Sequence, residues 1–246
     1  MDKKSLKEFN LDELKKIMLE FSKKPRIFNS EAQFQFELAW RINELFDCDV
    51  LLEEISRIYH SEKELKSGEI KKYLKKDYTD IILKKDDLCI AIELKYKTAI
   101  LQLEQLTLSH HGAVDLGAYD FMWDINRLQM LTGKSEDETV YQIRCDRGYA
   151  VILTNDKNYW KSNENNKKRI HREFVFCGDK DGKGCLKQGE HSWFDKDGKR
   201  GNYPDAVKGF RRNPINLRKD YQYQWTPYPP LPGENGEFKF MIVKVD

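Results

Sequence analysis

Three polar residues are set into two apolar runs of this chain. Asp80 stands in YTDIIL, Glu93 follows thirteen residues later in LCIAIELKYKT, and Lys95 comes two after that. Strand side chains alternate between faces, so Glu93 and Lys95 share one side while Ile92 and Leu94 take the other. Burying a carboxylate and an ammonium among isoleucines is costly unless each has a partner. The charged KKDD at 84–87 divides the runs and predicts a β-hairpin. Paired strands lie about 5 Å apart, so Asp80 can come opposite the Glu93 region. Two converging carboxylates make a hard-oxygen site suited to Mg2+ or Mn2+, and an adjacent lysine can position or deprotonate a water or stabilise a pentavalent phosphate. Ion and lysine each neutralise part of the carboxylate charge, so the group is costly singly and viable together. The plainer alternative is a Glu93–Lys95 salt bridge on a surface edge strand; the apolar flanks and the partner-strand Asp80 argue against it.

Positioning these residues requires a sheet with helices on its faces. Leu6, Phe9, Leu14, Ile17, Met18 and Phe21 recur at helical intervals and predict a first helix that stops near Pro25. Asn29 or Ser30 can cap a second helix, whose apolar stripe is Phe34, Leu38, Ala39, Ile42 and Leu45. VLLEEISRIY predicts a strand, and the lysine-rich 63–76 a solvated helix or loop. AYDFMWDINRLQMLTG returns to helical spacing and closes at Gly133. GYAVILTND has the continuous apolar run of a buried central strand. From about residue 157 glycine, proline, aromatic and basic residues dominate, and DKDGK at 179–183 and 195–199 predicts two Asp-Gly turns. The order implies an α/β fold with a mixed sheet. No linker is evident, so residues 1–246 read as a single domain: an N-terminal helical extension at 1–28, a core at 29–156 and a basic, aromatic, loop- and hairpin-rich elaboration at 157–246.

A net charge of +2 excludes a strongly basic nucleic-acid coat but leaves local patches open. The five cysteines are scattered and odd in number, unlike a disulfide framework. The lysine-studded N-terminus reads as neither secretory signal nor anchor. No run approaches the length of a membrane span. These features predict a cytoplasmic protein with reduced thiols and no membrane partner.

The D-x12-E-L-K pattern across a hairpin, with a glutamate-bearing helix before it and a helix after, resembles the PD-(D/E)XK nuclease superfamily and its restriction-endonuclease-like fold. Thr79 stands where the motif name has proline, a position that varies among such proteins. SEAQFQFELAWRI, IAIELKYKT, GAVDLGAYDFMWDINRLQML, GYAVILTND and RRNPINLRKDYQYQW, in that order over about residues 29–226, resemble a family of bacterial proteins within it. The resemblance implies a metal-dependent nuclease, with DNA the preferred substrate. Asp80 and Glu93 would hold Mg2+ or Mn2+, Lys95 would assist the attacking water or the transition state, and a glutamate from the preceding helix would supplement the site. Glu31 matches that position, with Gln35 one turn further; Glu37 is the competitor, and a first-turn acid on the helix dipole is the bland reading of Glu31. A homodimer would supply the two active sites that a specific double-strand cutter needs. The alternative is a silent nuclease-fold module that binds nucleic acid or a protein partner.

Asp120, Asp124 and Arg127 share a helical face. They read either as a phosphate-contacting support for the site or as an intrahelical ion-pair ladder. Basic residues cluster at 157–172, including Lys167, Lys168 and Arg169, and at 196–219, including Arg211 and Arg212, beside Phe210, Tyr221 and Trp225. Cations beside aromatics suit a phosphate backbone with stacked bases. TGKSE at 132–136 lacks the first glycine of a P-loop, and Cys177, Cys185, His171 and His191 match no zinc spacing.

Overall fold

The computed structural model describes residues 2–23, 27–64, 70–104, 106–133, 141–161, 169–202 and 207–246. Helices α1 (Leu11–Lys23), α2 (Glu31–Leu45) and α3 (Val114–Thr132) flank a six-stranded mixed sheet. Its strands are β1 (Asp49–Glu64), β2 (Ile70–Lys85), β3 (Leu88–Lys97), β4 (Arg147–Thr154), β5 (Thr226–Tyr228) and β6 (Phe238–Val245), in the order β5–β6–β4–β3–β2–β1. Only β3 and β4 run parallel. Between them α3 makes the crossover that a parallel pair requires.

Side-chain alternation sorts the sheet into two apolar layers. Ile82, Ala91, Ala150, Ile152, Met241 and Val243 pack with α3 and the C-terminal aromatics. Ile81, Ile90, Ile92, Leu94, Val151 and Phe240 pack with α1 and α2. Local chemistry sets the helix starts. Asn10 accepts hydrogen bonds from Asp12 and Glu13 N–H at the head of α1, and Ser30 accepts from Gln33 N–H at the head of α2. At both DKDGK turns the leading aspartate accepts from two following amides, and Gly182 and Gly198 take φ values of 75° and 82°.

Two expectations need correction. The described residues of 63–76 are strand, not helix or loop: β1 and β2 pair out to Glu64↔Ile70, well beyond the last β2–β3 pair at Ile81↔Ile92, so an arm of the hairpin runs on with one partner only. The β2–β3 turn is Asp86–Asp87 alone, with Lys84 and Lys85 still paired and Asp86 at φ 52°, a conformation aspartate tolerates. In the N-terminal segment Leu14, Ile17 and Met18 are fully buried against the sheet, and Arg147 donates to the Phe9 carbonyl. From the region beyond 157, β6 pairs with β4 from Gly148 to Thr154, and Pro227 lies in the edge strand β5. No helix among the described residues is long and apolar enough to cross a membrane.

Candidate functional site

The β2–β3 register carries Asp80 level with Glu93, one step past the Ile81↔Ile92 pair. Asp80, Glu93 and Lys95 lie on the face that α3 covers, because they alternate in step with Ile82 and Ala91 of that layer. Each polar group has a partner. Asp80 Oδ2 accepts the Leu94 N–H at 2.6 Å. Glu93, 1% exposed, places Oε1 2.5 Å from Nη2 of Arg127, which also donates to the Tyr78 carbonyl. Lys95 Nζ lies 2.6 Å from Asp124 Oδ2 and donates to the Leu94 carbonyl. The α3 face is therefore not an isolated ladder. Asp124 and Arg127 are 3.7 Å apart, but their shorter pairs cross to β3, and Asp120 is clasped by Arg211 through two 2.7 Å hydrogen bonds.

Helix α2 reaches the same place from the other side. Glu31 Oε2 accepts the Tyr96 N–H at 2.7 Å, immediately after Lys95. Gln35 donates to the Asp80 carbonyl at 2.6 Å and to Glu53 Oε1 at 2.9 Å. Glu37 lies about 200° around the helix from Gln35. Glu53 could not be found from the sequence: it sits on β1 between the pairs Leu52↔Ile81 and Glu54↔Thr79, level with Asp80, in the left-handed region at φ 52°. A non-glycine residue held there is strained, and nothing in VLLEEISRIY signals it.

These contacts leave the carboxylates short of compensation. Burial, then Asp124 and Glu31, push Asp80 up to about 6 against the pull of Lys95 and the Leu94 amide. Burial also drives Glu93 well above the carboxylate range, helped by Asp80 and Asp124 and opposed by Arg127. Burial disfavours the charge on Lys95, but Asp124, Glu31, Asp80 and Glu93 together outweigh it and hold the ammonium protonated. Asp80, Glu93, Glu31 and Asp124 thus face two cations, Lys95 and Arg127. That crowded, oxygen-only donor set fits a hard divalent ion, which keeps several waters. Among the described residues no three such ligands close on a single point; Arg127 lies on one Glu93 oxygen, and backbone amides donate to one oxygen each of Asp80 and Glu31.

The predicted phosphate contacts fare differently. Lys167 and Lys168 lie outside the described residues. Arg169 is half-buried. Arg211 is committed to Asp120, and Arg212 donates to the Val207 carbonyl, so both tie the C-terminal segment down rather than standing free for phosphate. Two clefts share Asp120: one of about 510 Å³ contains Glu31, Lys97, His111 and Arg211, and one of about 380 Å³ contains Lys95, Asp124 and Arg127. Comparison with models of known families, with curated proteins and with solved structures finds no match to this chain.

Proposed function

We propose that this protein is a metal-dependent nuclease on a restriction-endonuclease-like scaffold, hydrolysing phosphodiester bonds, with DNA the preferred substrate. The observation that carries this reading is the gathering of Asp80, Glu93 and Lys95 on one sheet face, with Glu31 arriving from α2. Asp80, Glu93 and Glu31 would hold Mg2+ or Mn2+, which when bound supplies Lewis acidity towards the phosphate and the attacking water. Lys95, whose ammonium form its acidic neighbours favour, would assist the attacking water or stabilise the charge that develops on the phosphoryl oxygens. Asp124 aims the Lys95 ammonium, and Arg127 holds the Glu93 carboxylate in place. Gln35 fixes the Asp80 backbone.

The second reading is a nuclease-fold module that binds nucleic acid or a protein without turnover. It draws on the Arg127–Glu93 pair, which satisfies the glutamate without any ion. The test is cleavage of supercoiled plasmid, linear duplex, single-stranded DNA and RNA with Mg2+ or Mn2+, beside Asp80→Ala and Lys95→Ala. Cleavage by the wild type that both substitutions abolish supports the nuclease. Cleavage that survives both refutes it, and binding with no cleavage favours the module.

A further inference from the structure

The hairpin arm and α3 enclose the 380 Å³ cleft whose floor includes Lys95, Asp124 and Arg127. Its other walls are aromatic and basic. Tyr59 and Lys75 are cross-strand partners on the arm, and Lys76 is next along β2. Trp123, on α3, lies 5.6 Å from the Phe210 ring and is itself stacked on buried Tyr119 at 6.2 Å and 12°. Phe210 stays 44% exposed although the Tyr119 hydroxyl donates to its carbonyl, so its ring is offered to the cleft from an anchored backbone. Each acid on the walls already has a cation: Asp77 holds Arg57, Asp120 holds Arg211 and Asp124 holds Lys95. Arg57 in turn stacks on Tyr59, 4.3 Å from the ring centroid.

We propose that this cleft seats one unpaired nucleotide of a single-stranded nucleic acid, its base against Phe210 and Trp123 and its phosphates towards Lys76 and Lys75. The inference rests on the nuclease reading for its purpose, since the seat delivers a backbone phosphate to the Lys95 side of the carboxylates. Three features select this ligand. The volume is near the lower end of small-ligand sites, about 300–1,000 Å³, and suits one nucleotide rather than stacked base pairs. Aromatic faces take any base by stacking. Lysines on an extended arm follow a backbone without reading sequence.

Fluorescence anisotropy of labelled oligothymidine, oligouridine and a duplex of equal length, in EDTA and again with Ca2+, tests the seat without turnover. The single strand is expected to bind about tenfold or more tightly than the duplex. Phe210→Ala and Phe210→Leu should each weaken single-strand binding about tenfold, the loss of one base stack; the leucine variant keeps the apolar volume. Lys75→Gln/Lys76→Gln should lower the slope of log Kd against log salt by about 0.7 per phosphate contact removed. Oligothymidine or oligouridine bound through Phe210 supports the seat, and the tighter of the two names the sugar. Preference for duplex, or affinity and salt slope indifferent to all these substitutions, overturns it. A wild type that cleaves nothing yet binds the single strand through Phe210 keeps the seat and removes the nuclease. Active cleavage with affinity indifferent to Phe210 does the reverse.

Discussion

Replacing Asp80 with asparagine removes a buried charge but keeps an oxygen to accept the Leu94 N–H. The wild-type carboxyl is raised from 3.8 to about 6, a little over two units, which corresponds to about 3 kcal/mol favouring the neutral form in the folded state. Between about pH 4 and pH 6 the native chain holds a proton that the unfolded chain has lost, so wild-type stability from this group is full below about pH 4 and falls as pH rises through 6. The asparagine variant escapes that loss. A neutral acceptor weakens the Leu94 hydrogen bond by about 1 kcal/mol, leaving a net stabilisation of about 2 kcal/mol near pH 7. For a chain of this size that raises Tm by about 4–8 °C. Thermal melts of both proteins in EDTA across pH 4–8 should give a Tm difference that opens from near zero at the acid end to its full value by neutrality. The same variant should be inactive on every nucleic acid. A Tm difference that is negative near pH 7, or flat with pH, would refute the argument that Asp80 is an under-compensated buried carboxylate.

Arg127→Met strands the fully buried Glu93, so urea unfolding should report a loss of about 3–5 kcal/mol. The double variant Arg127→Met/Glu93→Met should recover most of it, and strictly additive losses would show that the two do not act as a pair. Gly117 faces Tyr159 so closely that an added Cβ would lie 2.1 Å from the hydroxyl oxygen. Gly117→Ala is therefore expected to cost about 1–3 kcal/mol by thermal melting, and adding Tyr159→Phe, which removes the struck atom, should restore much of it.

What local chemistry decides was legible along the chain. A period of two fixed that Glu93 and Lys95 share a face opposite Ile92 and Leu94, and the layers of the sheet follow that alternation. Ser30, Gly133 and the two DKDGK turns act through hydrogen bonds to residues a few positions away, so sequence alone suffices to place them. The lysine-rich arm misled because Lys71 and Lys75, like Lys72 and Lys76, recur at the four-residue spacing of a helix; pairing to β1 across the hairpin, not propensity, makes that segment a strand.

Partner choice belonged to the tertiary structure. Arg127 meets Glu93 across 34 residues and Arg211 meets Asp120 across 91, and no local pattern distinguishes these pairings from an intrahelical ladder or a free phosphate contact. Phe238–Val245 falls in the region whose composition suggests loops and hairpins, and only the closed sheet places it as a strand beside β4. The left-handed Glu53, shared with Asp80 through Gln35, and the cleft between the arm and α3 exist only once three distant segments are brought together. The sequence determined which chemistry could be assembled on β2 and β3, because alternation and turns are local. Packing determined which charges it is assembled against, because in a low-dielectric interior each buried charge must find its counterpart wherever along the chain that counterpart lies.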